Sequence, residues 1–260
     1  QTPDGKAILA ELLLQFADES KMGTWHGWGY GLMYQLTGDK KWADLGRKFA
    51  EGVIAGKIKS PRYGWFTTDG GYMRAGPSAA AVAAAYDMCY DAWDPEFRQF
   101  VAKKLQDRIW PNFVLTPQDK ETDLQLCPRS NHYMLWNGGA GTCMTAIKGD
   151  PGVDAQVVER ADRILKQRLK RGLVDGFGDH GWFPEGTFCG RFPTNGALVP
   201  YMQALGVADG EDYVANCSEA QWLSTKWIYE VLRSGGKIEC FQRGMYAREA
   251  WKRSEGDFGQ

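Results

Sequence analysis

The chain has 260 residues and only three histidines, and two of these sit among groups that could do chemistry. The stretch RSNHYMLWNGGAG, 129–141, places Asn131 and His132 side by side, with Arg129 before them and Tyr133 and Trp136 after. An Asn amide donates to a carboxylate, and an imidazole donates, accepts or carries a proton near neutral pH. In a loop or at a helix start, the pair could bind an acidic sugar and take part in proton transfer. It could equally be a helix cap beside a hydrogen-bonded structural histidine. A second segment, GDHGWFPEGTFCGRF, carries Asp179, His180, Trp182, Glu185 and Arg191. These could supply an acid/base group, a stacking ring and an acceptor for sugar hydroxyls. The other reading is a tight turn in which Glu185 caps the next helix and pairs with Arg191. The segment TTDGGYMRAG, with Asp69, Tyr72 and Arg74, reads as a glycine-rich turn or a subsite loop, and His26 in GTWHGWGYG reads as structural.

The totals remove several function classes. A formal net charge of −1 provides no bulk field to hold nucleic acid or an anionic membrane. Aromatic residues make up 13% of the chain, including 11 Trp, enough to build a core and still leave rings for stacking on sugars. The six cysteines (Cys89, Cys127, Cys143, Cys189, Cys217, Cys240) are scattered, with no CxxC and no Cys/His zinc spacing. Neither a structural metal nor another cofactor is therefore expected, while thiols and disulfides both remain open. There is no P-loop and no GxSxG elbow, and NGGAG lacks the spacing and preceding strand of a dinucleotide fingerprint. No apolar run approaches the roughly 20 residues of a membrane span. No signal peptide is visible, and the ends at Gln1 and EGDFGQ suggest a mature or excised piece of a longer protein.

The elements that must position these groups read as helices. Ile8, Leu9, Leu12, Leu13 and Phe16 fall on one helical face, as do Trp42, Leu45, Phe49 and Val53, and Phe97, Val101, Leu105 and Ile109. Val157, Ala161, Ile164, Leu165 and Leu169 form another stripe, opposite Arg160, Arg163, Lys166 and Arg168. SAAAVAAAYDMCYDAW is small and apolar nearly all round, which predicts a helix packed on several sides. QLTGDKKWADLGRKFAE and AIKGDPGVDAQVVERADRIL both read as helix, Gly-Asp turn, amphipathic helix. The expected fold is all-α: an incomplete or complete α/α toroid of antiparallel helical hairpins, with a plain bundle or solenoid as the alternative. Four Gly- and aromatic-rich stretches, KMGTWHGWGYG, SPRYGWFTTDGGYMRAGP, CPRSNHYMLWNGGAG and DGFGDHGWFPEGTFCGRFPTNG, are expected as long connections. In a toroid such loops gather at one rim of a central cleft.

From Ala79 to Leu205 the order of segments resembles the heparinase II/III-like polysaccharide lyases and alginate lyases. The Ala-rich helix ending AAAYDMCYDAW comes first, then FRQFVAKKL, then SNHYMLWNGGAG leading to IKGD, then a basic helix and DGFGDHGWFPEGTFCGRF. The resemblance implies one α/α toroid domain over residues 1–260, a downstream β-sandwich in a longer chain, and β-elimination at a uronic acid. It implies that Asn131 and His132 bind the uronate carboxyl and assist proton transfer, and that Glu185, Gly186 and Arg191 line the sugar cleft. The family's segment after Glu-Gly carries a catalytic Tyr, whereas this chain has Phe188 and Phe192 there. Phe exchanges no proton. The carrier is then His132, His180, Tyr133 or Tyr246, or lies in another domain, or the chain is an inactive or binding variant.

The reading is therefore a periplasmic or secreted lyase acting on an acidic polysaccharide, with no nucleic acid or membrane span. Asn131, His132 and His180 are its candidate catalytic residues. Trp65, Tyr72, Tyr133, Trp136, Trp182 and Phe188 are candidates for contact with the sugar, with Glu185 as acceptor and Arg74, Arg129 and Arg191 as counter-charges. The rivals are an inverting toroid glycoside hydrolase using Asp69 with Asp179 or Glu185, and a non-catalytic glycan-binding protein.

Overall fold

The computed structural model describes residues 2–16, 18, 22, 26–58, 72–115, 127–178, 181–185, 197–218 and 223, with backbone alone at 15, 72–75 and 214. Among these residues the protein is all-α, with no strand. Among the described residues nine α-helices follow in chain order: α1 Pro3–Phe16, α2 His26–Thr37, α3 Lys40–Ile54, α4 Tyr72–Met88, α5 Pro95–Ile109, α6 Asn131–Ala146, α7 Ala155–Arg171, α8 Val199–Ala208 and the short α9 Tyr213–Asn216. Two π-helical turns, Trp110–Val114 and Gly172–Gly176, continue α5 and α7. None of the described helices is long and apolar enough to cross a membrane.

Four helices, α2, α4, α6 and α8, lie side by side, and glycines set their register. A Cβ on Gly27 would fall 2.1 Å from the Ala81 carbonyl oxygen, and one on Gly31 2.8 Å from Met88. A Cβ on Gly139 would fall 2.2 Å from the Gly76 carbonyl carbon. Gly138 meets Ala197 in the same way, and Gly141 meets the Tyr201 ring. Residue numbers rise together from Gly27–Ala81 to Gly31–Met88, from Gly76–Gly139 to the Tyr86–Asp150 hydrogen bond, and from Gly138–Ala197 to Gly141–Tyr201, so the four run parallel. Each return is made by a second layer: α3 packs on α2 and α4, α5 on α4 and α6, and α7 on α6. The Ala-rich α4 is buried from Gly76 to Tyr86 and contacts α2, α3, α5 and α6, as a helix that is small and apolar all round should.

Turn chemistry punctuates this alternation. Gly38 takes the left-handed conformation (φ 67°), and Asp39 then caps α3 by accepting from the Lys41 backbone N–H. Asp94 and Asp154 cap α5 and α7. The α6–α7 connection is longer than the Gly-Asp pattern suggests. Gly149 (φ 85°) turns the chain after α6, but the cap of α7 is Asp154. Asp150 instead accepts from the hydroxyls of Tyr86 and Tyr90, tying the end of α4 to the end of α6.

Three expectations are corrected. Three stretches expected as connections run into helices instead: KMGTWHGWGYG is helical from His26, SPRYGWFTTDGGYMRAGP from Tyr72, and CPRSNHYMLWNGGAG from Asn131. Glycine inside a helix costs about 1 kcal/mol relative to Ala, but here it lets backbones approach where any side chain would collide. The α1 stripe is only partly covered. Leu9, Leu12 and Phe16 lean on the core, whereas Ile8 is 62% and Leu13 40% exposed, because α1 lies at the edge of the array against α2. Arg168, expected on the polar face of α7, is buried with Val158, Ala161, Leu165 and Leu169. Among the described cysteines, Cys89, Cys127, Cys143 and Cys217 are free thiols.

Candidate functional site

The N-terminal end of α6 gathers the sequence-predicted groups that the structure describes. Ser130, not Asn131, caps the helix, its Oγ accepting from the His132 backbone N–H at 3.2 Å. Asn131 is the first helical residue, and both its donors go to one atom. Its backbone N–H donates to Glu185 Oε2 at 2.7 Å, and its Nδ2 to the same oxygen at 2.6 Å. The two residues are 54 apart in sequence. A carboxylate is favoured at this place, since the first N–H groups of a helix lack intrahelical partners and carry the positive end of its dipole. Asn131 is 8% exposed, and its Oδ1 is buried with no hydrogen-bond partner among the described residues.

The segment that brings Glu185 there is built from the end of the second π-turn. Gly178 and Gly181 continue the chain by donating to the carbonyls of Val174 and Phe177, and Gly181 turns it with φ 78°. Phe183 then plugs into the core, stacked on Phe177 at 4.9 Å between centroids. With that anchor set, Trp182 on one side is 48% exposed, and Glu185 on the other reaches back to α6 from an exposed position.

His132, next to Asn131, is half-buried. Arg129 is exposed just before the cap. Tyr133 turns inward: its hydroxyl donates to the Arg168 carbonyl at 3.0 Å, and burial pushes its pKa up to about 12. Trp136 is half-buried and stacked on Phe113 at 4.0 Å, in the first π-turn. His26 lies apart on α2, its ring against Phe16 and Tyr30. Tyr72 and Arg74 begin α4, with backbone alone described. Trp65, Asp69, Asp179, His180, Phe188, Arg191, Phe192 and Tyr246 lie outside the described residues.

Beneath this end of α6 runs a polar network that residue type alone did not single out. The buried Arg168 guanidinium donates to the carbonyls of Phe113 (2.7 Å) and Val114 (3.0 Å) and to Asn137 Oδ1 (3.2 Å). Asn137 Nδ2 donates to the Tyr133 carbonyl at 2.9 Å. Burial lowers the Arg168 pKa. Both π-turns are thereby braced against the first two turns of α6: one through Arg168, the other through Gly172 and Gly176 against Met134. A signal was present in the sequence, because position 168 continues the 161 and 165 spacing of the buried stripe.

A groove of about 260 Å³ runs along the face of the parallel layer, lined by Trp28, Asp87, Met88, Thr145 and Gln203 among others. Its α6 residues begin at Thr142, roughly 17 Å along the helix from Asn131 at 1.5 Å per residue. The arrangement at the α6 N-terminus therefore stands separately: two N–H donors aimed at a carboxylate, an imidazole beside them and an exposed indole close by in sequence to that carboxylate. Comparison with protein-family models, curated proteins and solved structures finds no match to this chain.

Proposed function

We propose that the protein is a lyase that cleaves a uronic-acid-containing polysaccharide by β-elimination, working at the N-terminal end of α6 in a periplasmic or extracellular setting. The observation that carries the reading is the pair of Asn131 donors converging on a carboxylate oxygen at a helix N-terminus. β-Elimination begins with loss of the C5 proton beside the uronate carboxyl, and the enolate-like species that forms needs that carboxyl held by hydrogen-bond donors. Asn131 supplies such donors. His132, its neighbour, is the group for proton abstraction or for protonation of the leaving glycosidic oxygen. Trp182, half exposed, offers a face for a sugar ring, and Arg129 a positive charge for a further carboxylate. The same proposal takes the parallel layer α2, α4, α6 and α8, with its return helices, as part of an α/α toroid.

The test is incubation with a panel of uronate polymers, read as near-ultraviolet absorbance of the unsaturated uronate product. Asn131→Ala and His132→Ala should each lower turnover by about 10²-fold or more, with the helical circular-dichroism spectrum kept. Full activity in both variants overturns the residue assignment. Saturable glycan binding without any unsaturated product, in the wild type and in Phe188→Tyr and Phe192→Tyr variants, would replace the enzyme with a binding protein.

A further inference from the structure

The carboxylate now held by Asn131 belongs to the protein itself. We propose that Glu185 is the resident occupant of a carboxylate-binding site on Asn131, and that a hydroxy-acid ligand enters by displacing it. The identity of that ligand as a uronate rests on the function proposed above. The site does not.

Three observations carry this. First, two donors on one residue meet one oxygen at 2.6 and 2.7 Å, at the first turn of a 16-residue helix, the geometry in which helix termini take free anions. Second, the hydrogen bonding of Asn131 is incomplete. Its Oδ1 is buried without a donor among the described residues, and a residue more than nine-tenths buried rarely leaves an acceptor unpaired. Glu185 as a carboxylate has only acceptors and cannot supply that donor. A ligand with a hydroxyl near its carboxylate, as the C4 hydroxyl is in glucuronate, supplies both halves, the carboxylate for N–H and Nδ2 and the hydroxyl for Oδ1. Third, Glu185 is free to leave. It is exposed, lies two residues beyond the Phe183 anchor, and hydrogen-bonds only to Asn131 among the described residues. Its carboxylate can turn to solvent while Phe183 stays in the core.

Displacement has a sign opposite to that of a directly contributing residue. If Glu185 binds the ligand, removing it weakens binding. If Glu185 competes with the ligand, removing it strengthens binding. The experiment titrates wild type, Glu185→Gln and Glu185→Ala with glucuronate, with acetate as a carboxylate lacking the hydroxyls, and with glucose as the uncharged control. Affinity and the ¹⁵N resonance of the Asn131 side-chain amide are followed together. Both variants should bind glucuronate at least tenfold more tightly than wild type, acetate should bind more weakly than glucuronate in every form, and glucose should not respond. Glucuronate binding that is unchanged or weaker in both folded variants overturns the proposal. So does an Asn131 amide resonance in the wild type that does not move at saturating glucuronate, a result that needs no variant to fold. Tight glucuronate binding by the variants without unsaturated product from any polymer supports this site while removing the lyase reaction.

Discussion

The two ends of helix α6 are held by opposite electrostatic designs. At the N-terminal end the polar groups are few and, apart from Glu185, buried: Ser130 caps, Asn131 meets Glu185, and Arg168 serves the carbonyls of Phe113 and Val114 together with Asn137. At the C-terminal end, Lys148 and Lys166 share Asp162 and Asp209, and Lys166 also reaches Glu211 at 2.5 Å, all at least partly open to water. Both lysines meet both Asp162 and Asp209, so losing one lysine leaves those carboxylates paired and the rest solvated. At the buried end, losing Arg168 strands its partners away from water. Precision suited to binding goes with the first design and tolerance with the second.

The largest test of this contrast replaces one cation at each end. Arg168→Met strands two buried carbonyls and should cost about 3 kcal/mol, whereas Lys166→Met should cost about 1 kcal/mol. Urea denaturation of both variants measures the difference, and equal costs would erase it. The backbone carries a smaller version. Gly139→Ala places a methyl 2.2 Å from the Gly76 backbone and should cost about 2 kcal/mol by overpacking. Gly149→Ala meets nothing within 4 Å and pays only for φ 85°, about 1 kcal/mol. A Gly139→Ala variant as stable as wild type would show that α4 and α6 are not in close contact.

The smallest expected effect is a pH limb. Hydrogen bonds from Lys148 and Lys166 hold the Asp209 carboxyl below the usual carboxylate range. A depressed carboxyl contributes stability above its unfolded value, near pH 3.9, and loses it as pH falls through the folded value. Asp209→Asn should therefore flatten the acid limb of the melting-temperature profile below about pH 4, by less than about 1 kcal/mol given solvent screening. An unchanged limb would mean that the cluster does not hold its charges together in solution.

Much of the helical frame was legible because it is local. The stripe Trp42, Leu45, Phe49 and Val53 is buried except for Leu45, which is half-buried; Phe97, Val101, Leu105 and Ile109 are buried as their spacing predicts, and the alanine run of α4 is buried on all sides. The Gly38–Asp39 turn was legible for the same reason, since left-handed glycine and a capping carboxylate act within one turn of helix. The glycine-rich helices were not. Gly27, Gly76 and Gly139 read as loop residues by propensity, and only their contacts with Ala81, Leu135 and Gly76 explain them. At the candidate site, residue type singles out Asn131 and Glu185 separately, and nothing in the intervening residues joins them.

By itself, then, the sequence determined that this chain would be helical, which faces of most helices would turn inward, and which polar residues were unusual enough to examine. Tertiary structure decided what the glycines were for, that Arg168 would be buried while Lys166 met solvent, and that Asn131 would spend both donors on a carboxylate 54 residues away. Periodicity, caps and turns are set by groups a few bonds apart. Close approach and hydrogen-bond partnership are set by where distant segments meet, and that depends on the packing of the whole array.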